Sequence, residues 1–250
     1  MKDWNGRNIE FANSKGGVIA VANPFDNLIS KNCVPWPPPE IVQKLYQSRQ
    51  VRAFQGAQCS ICTKKLGYYC DLQSLHSEDA ITWSVFGTVA YSSLSERENW
   101  VSQFFKLLDI SDAVSTNAVI FLWRRIPHPD TLVSGGPELD FGIITDNTLI
   151  LGEAKWQSGV GSAQGKKKNK DQIQLRGEFL KKYGKIIFPL LKVQIVVGVG
   201  LSQNAFNNTV PKGVSFLSTT WEDICSIQAH PHFDEIQRYY KWKLYYKRKN

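Results

Sequence analysis

No run in this chain approaches the roughly 18 consecutive apolar residues of a membrane span, so no membrane is expected as a partner. The opening Met1-Lys2-Asp3-Trp4-Asn5-Gly6-Arg7 has none of the apolar core of a secretory signal. Cysteine is scarce and odd in number, five in 250 residues, which argues against a disulfide framework and for a reducing cytoplasm. Internal repeats and long low-complexity tracts are absent, and the composition excludes wholesale disorder and collagen-like structure. Acidic residues are in deficit, 22 Asp+Glu against 30 Lys+Arg, for a formal net charge of +8. With 42% hydrophobic residues, the length suits one large domain or two small ones with a sizeable core.

The excess charge is concentrated. Lys155 to Lys192 holds ten basic and two acidic residues, and Arg238 to Asn250 holds six basic residues and no acidic one. Two basic regions on an otherwise acidic body point to a polyanionic partner, with a solvated face as the plainer alternative.

Trp36-Pro37-Pro38-Pro39 reads as a stiff connector, and the organisation expected is an N-terminal region 1–74 followed by a main domain 75–250. A helix is expected to open at Ser77-Glu78-Asp79, with Ile81, Val85, Phe86 and Val89 at helical spacing. A second is expected from Ser95 to Leu108, opened by a Ser95–Glu98 capping box. Apolar, β-rich runs predict strands at 118–123, 139–145, 148–156, 193–199 and 214–218, with a helix at 171–183 and another at the C-terminus. This order predicts an α/β fold, a central mixed β-sheet flanked by helices.

The chemistry gathers in Pro137-Glu138-Leu139-Asp140 and, with twelve residues between, Glu153-Ala154-Lys155. Glu153 and Lys155 share a strand face because alternate residues point the same way. Asp146-Asn147 is a two-residue hairpin turn. Counting back from it along both strands sets Asp140 opposite Glu153 and Glu138 opposite Lys155. Directly opposed side chains have Cβ atoms about 4.5–5.5 Å apart. Two carboxylates that close repel unless a cation lies between them or one is protonated. A hard cation such as Mg²⁺ takes oxygen ligands, and Lys155 beside it can position or deprotonate a water. The plainer reading is a cross-strand Glu138–Lys155 ion pair with Asp140 merely near a strand start.

Over roughly residues 75–225 these motifs resemble the PD-(D/E)xK nuclease superfamily, the restriction-endonuclease-like fold. The resemblance implies that Asp140 and Glu153 are metal ligands and Lys155 is the catalytic lysine. It further implies an acidic ligand on the first helix, Glu78 with Glu96 or Glu98 as alternatives. A glutamine on the second helix completes the set, Gln172 with Gln174 as the alternative. The activity implied is Mg²⁺- or Mn²⁺-dependent hydrolysis of DNA by an endonuclease, in restriction or phage defence, with a homodimer suited to cutting both strands. No residue points to a partner methyltransferase or motor protein, or to a recognition sequence.

Cys59-x2-Cys62-x7-Cys70-x5-His76 offers four ligands for a structural zinc in the N-terminal extension, with Cys33 as a substitute for His76. The alternative is that these cysteines are small core residues. The Gly/Ser/Lys loop after Trp156 fails the P-loop pattern, because Lys166 is followed by Lys167 rather than Ser or Thr. Lys166, Lys167, Lys168, Lys170 and Arg176 instead read as phosphate contacts. In the tail, aromatics between basic residues are expected to pack on the domain, the rival reading being stacking on bases. Two rival functions stay open: a non-catalytic zinc-containing nucleic-acid-binding protein on an inactive nuclease fold, and a nuclease for RNA or repair intermediates.

Overall fold

The computed structural model describes residues 1–12, 19–47, 71–130, 136–157 and 170–246. The chain divides into two compact units, Met1–Tyr91 with Asp234–Asn250, and Ser92–Phe233. The sequence pattern draws its boundary after residue 74 instead, at the end of the cysteine segment. Among the described residues no helix is long and apolar enough to cross a membrane.

The first unit pairs two short antiparallel strands, β1 (Phe11–Ala12) and β2 (Ala20–Val21). It also holds a helix at Pro39–Gln47 and a helical run made of Glu78–Thr82, the π-helical Trp83–Gly87, and Thr88–Ala90. Ser77 caps that run as expected, its hydroxyl accepting from the Ala80 N–H at 3.1 Å. Ile81, Val85, Phe86 and Val89 are all fully buried. The Phe233–Tyr245 helix carries the tail aromatics inward. Tyr239 and Trp242 meet the Trp4 ring edge-on, at 4.8 and 5.2 Å between centroids. The tail rings at 239, 240 and 242 are therefore core residues, whereas Tyr245 is exposed.

The second unit is built on a five-stranded mixed sheet in the order β3 (Val119–Leu122), β4 (Phe141–Ile144), β5 (Thr148–Ala154), β6 (Val193–Gly200) and β7 (Ser215–Thr220). The first three strands form an antiparallel meander, and β5, β6 and β7 run parallel. Strand β5 is buried at all seven positions, as a central strand between covered faces must be. One face packs Leu149, Leu151 and Val196 against Ile173, Phe179 and Leu180. The latter three belong to a helical run of Gln172–Phe179, the π-helical Leu180–Gly184, and Lys185–Ile187. On the other face Phe141 meets Phe104 of the Leu94–Leu107 helix, rings T-shaped at 6.5 Å. Burying each such aliphatic or aromatic side chain contributes about 1.5–3 kcal/mol.

The Leu94–Leu107 helix begins one residue before its expected start, and its cap lies two residues earlier than expected. Ser93, not Ser95, is the cap: its hydroxyl faces the Glu96 N–H and the Glu96 carboxylate accepts from the Ser93 N–H at 3.0 Å. Both serines have a glutamate three residues on, so the sequence supports either frame. The earlier frame prevails, and Glu98 is left to accept from the Asn117 N–H at 2.7 Å.

Candidate active site on the β4–β5 hairpin

The hairpin has the expected register. Phe141 pairs with Gly152 and Ile144 with Leu149. Asp146 and Asn147 form the turn inside a Thr145 N–H to Thr148 carbonyl bond of 3.0 Å. Polar side chains fix the turn from outside: Asp146 accepts from Thr116 and from Asn117, and Asn147 from the Val114 N–H. The ladder closes at Phe141–Gly152, one step short of Asp140 and Glu153. There Asp140 accepts the Ala154 N–H on its own carboxylate at 2.7 Å. Glu138 lies beyond the hairpin ladder, its backbone bridged to Arg125 and its carboxylate 3.9 Å from the Arg125 guanidinium.

A close approach shapes the strand beside Glu153. A Cβ on Gly152 would lie 2.3 Å from the Phe141 ring, so the aromatic ring of the paired residue occupies the space a side chain would take.

Glu153 shares the β5 face of Leu149 and Leu151, which turns it toward the Gln172–Phe179 helix. It is almost wholly buried, and its carboxylate lies between two cations. Lys155 Nζ is 2.6 Å from Oε1, and the Arg176 guanidinium is paired with Oε2. Both oxygens are paired by charge yet lack a well-aligned hydrogen bond. Burial, reinforced by the Asp140 charge, pushes the Glu153 carboxyl up to about 8, against the downward pull of Arg176 and Lys155. Lys155 is held through its backbone, with its N–H on the Val199 carbonyl at 2.7 Å and its carbonyl accepting from Trp221 Nε1 at 2.9 Å. The Trp156 and Trp221 rings meet edge-on, 6.3 Å between centroids.

Arg176 departs from its expected role. It is fully buried, and its Nη2 donates to the Glu138 carbonyl at 2.8 Å. A side chain without exposure contacts no phosphate from the surface; Arg176 neutralises Glu153 instead. Its Nε and Nη1 have no hydrogen-bond partner among the described residues. Sequence reasoning missed this pairing, although one signal was present: an arginine one helical turn after Gln172, among positions that alternate with core residues.

The remaining expected residues scatter. Glu78 opens its helix in the first unit. Glu96 is used in its capping box, and its carboxyl is held low by the Ser93 hydroxyl and N–H; Glu98 holds the Asn117 backbone. Gln172 is the first residue of its helix, while the Gln174 amide donates to Glu178 at 3.0 Å. Lys170 is tied to Glu178 at 2.5 Å and to Asp130 at 3.0 Å, so its charge is already neutralised. Lys166, Lys167 and Lys168 lie outside the described residues, as do Cys59, Cys62 and Cys70. His76 Nε2 is hydrogen-bonded with the Tyr246 carbonyl at 2.8 Å. Cys33 is buried, and that burial, with Glu40 nearby, pushes its thiol up to about 11. Among the described residues no group of three or more His, Cys, Asp or Glu side chains is placed to hold a metal.

Comparison with known proteins adds no identification: no family model, no curated protein and no solved structure matches the chain. The functional reading therefore rests on the hairpin.

Proposed function

We propose that the chain is a divalent-metal-dependent endonuclease that hydrolyses DNA phosphodiester bonds, built on a restriction-endonuclease-like core. One observation carries the reading. The hairpin register brings Asp140 beside Glu153, with Lys155 against the same buried carboxylate. The succession of helix, three-strand meander, helix and parallel strand from residue 94 to residue 200 supports it, since Asp140, Glu153, Lys155 and the helix glutamine of the resemblance fall in that frame, although Glu78 does not.

The donors are of the kind a hard cation takes, and a cation there would have to displace Lys155 from Glu153 Oε1, since both Glu153 oxygens are paired with cationic side chains. Asp140 and Glu153 present carboxylate oxygens, and the Asp140 charge adds to the cost of ionising the buried Glu153. Asp140 uses Oδ2 for the Ala154 N–H, which orients the group. With only two such carboxylates, water and substrate phosphate would fill the remaining positions, as is usual for Mg²⁺. Bound there, the cation would neutralise charge building on the phosphate and ease ionisation of a water.

Asp140 and Glu153 hold and orient that centre. Lys155, its backbone anchored at both N–H and carbonyl, positions the attacking water or, once it has given up its own proton, accepts one from that water. Attack in line on phosphorus breaks one P–O bond. Arg176 compensates the buried Glu153 from behind and touches no reacting atom.

Supercoiled plasmid, single-stranded DNA and RNA incubated with Mg²⁺ or with EDTA test the reading. Cutting of duplex DNA with Mg²⁺ and none with EDTA supports it. Preference for RNA or single strands would move the activity to another nuclease class. Binding without cleavage of any substrate would leave a nucleic-acid-binding protein.

A further inference from the structure

The second unit has a cleft that the proposed chemistry does not use. Its volume is about 720 Å³. Its walls come from Leu180, Lys181 and Lys185 of the helical run, the starts of β6 and β7, and the loop after the Leu94–Leu107 helix. Lys181, Lys185, Lys192 and Lys212 line it, facing Asp109 and Asp112 on the loop. Four lysines against two aspartates leave a positive balance. All four lysines are exposed, and none makes an ion pair or side-chain hydrogen bond with a described residue. Contrast Lys170, whose amine is already held by two carboxylates.

The scaffold beneath these lysines is braced. Gln194 Nε2 donates to the Phe188 and Leu191 carbonyls at 3.3 and 3.1 Å, fixing the turn between Lys185 and Lys192. Lys212 sits in a turn closed by the Val214 N–H on the Pro211 carbonyl at 3.1 Å, with Gly213 at φ +89. Unpaired like charges on a rigid frame repel until an anion joins them. The lysines come from three separate segments, and the cleft exceeds what one phosphate fills, so a chain of phosphates fits better than a single one.

The cleft lies at the far end of the sheet from the carboxylates. Val193 and Ile195 at its floor pair with Thr148 and Ile150, whereas Glu153 pairs with Gly198. The separation along β5 is about 17 Å, at ~3.3 Å per residue.

We infer that this cleft binds the phosphodiester backbone of a nucleic acid away from the cleavage site, holding substrate by charge while the hairpin acts elsewhere on it. The inference extends the nuclease reading, but its test is independent of cleavage. Affinity for a short labelled duplex is measured by fluorescence anisotropy in EDTA across a salt series. Wild type is compared with Lys185→Gln/Lys212→Gln and with a control of equal charge change, Lys2→Gln/Lys106→Gln, both exposed and outside the lining of the cleft and the two basic regions. Each lost phosphate contact reduces the slope of log K against log salt by about 0.9. The cleft pair is expected to lower it by at least about one unit and the control pair by less. Equal changes in both variants, no change in either, or no duplex binding by wild type would overturn the inference. So would displacement of duplex from wild type by inorganic phosphate at constant ionic strength with no such displacement from the cleft variant, since a free phosphate would then be the occupant. Duplex binding through the cleft without cleavage would sink the nuclease reading alone, and Mg²⁺-dependent cleavage with an unchanged salt slope would sink the cleft alone.

Discussion

Glu153 carries a carboxyl raised to about 8 by burial and by Asp140, well above the ordinary 4.5, and this has a definite sign. A group that holds its proton more tightly folded than unfolded contributes stability that is full below about 4.5 and lost as pH rises through about 8. The metal-free protein is therefore expected to lose melting temperature across that window, and Glu153→Gln to flatten the loss. A slope identical in the variant would show that another group sets it. Arg176 gives a second test. Arg176→Met leaves the buried carboxylate with Lys155 alone, and urea unfolding is expected to show a loss of about 3–5 kcal/mol. Arg176→Lys should retain part of it; a loss under about 1 kcal/mol for the methionine would contradict the pairing. The residues themselves were unevenly legible. Asp140, Glu153 and Lys155 could be read because register and strand periodicity act over a few residues. Arg176 sits in a basic stretch that reads as surface, and only the packing of its helix on the β5 face puts it inside.

The elements repeat that lesson. The hairpin was readable from Asp146-Asn147 and the flanking apolar runs, because a two-residue turn leaves one register. The Leu94–Leu107 helix was readable in place but not in frame, since Ser93 and Ser95 carry the same signal. Ser93→Ala is expected to cost about 1 kcal/mol in urea unfolding, while Ser95→Ala stays within about 0.5 kcal/mol as an ordinary surface change. The reverse order would restore the later frame. Gly152 tests the strand pair: Gly152→Ala drives a methyl into the buried Phe141 ring and should cost about 1–3 kcal/mol. Phe141→Leu in the same chain should recover part of that cost, a coupling readable in a double-mutant cycle.

At the scale of the molecule, composition pointed to a polyanion, and the described structure sorts the basic residues. Arg176 and Lys170 are paired internally and the tail rings at 239, 240 and 242 are core, whereas Lys181, Lys185, Lys192 and Lys212 stand open around a cleft. The two units were not legible, because the first gathers both ends of the chain and local pattern carries no information on such distant partners. If the proposed nuclease reading holds, one carboxylate hairpin per chain among the described residues would cut one strand per encounter, and linear product from a supercoiled plasmid is then expected to rise more steeply than linearly with protein concentration. A strictly linear dependence with both strands cut together would contradict the need for two copies. The most direct test of the central claim is single-turnover cleavage of supercoiled plasmid in Mg²⁺ by wild type and Lys155→Ala, with duplex affinity measured alongside. The variant is expected to bind like wild type and to lose cleavage by at least about 100-fold, the lower end of what a positioned proton-transfer group contributes. Cleavage at the wild-type rate by the variant would contradict it.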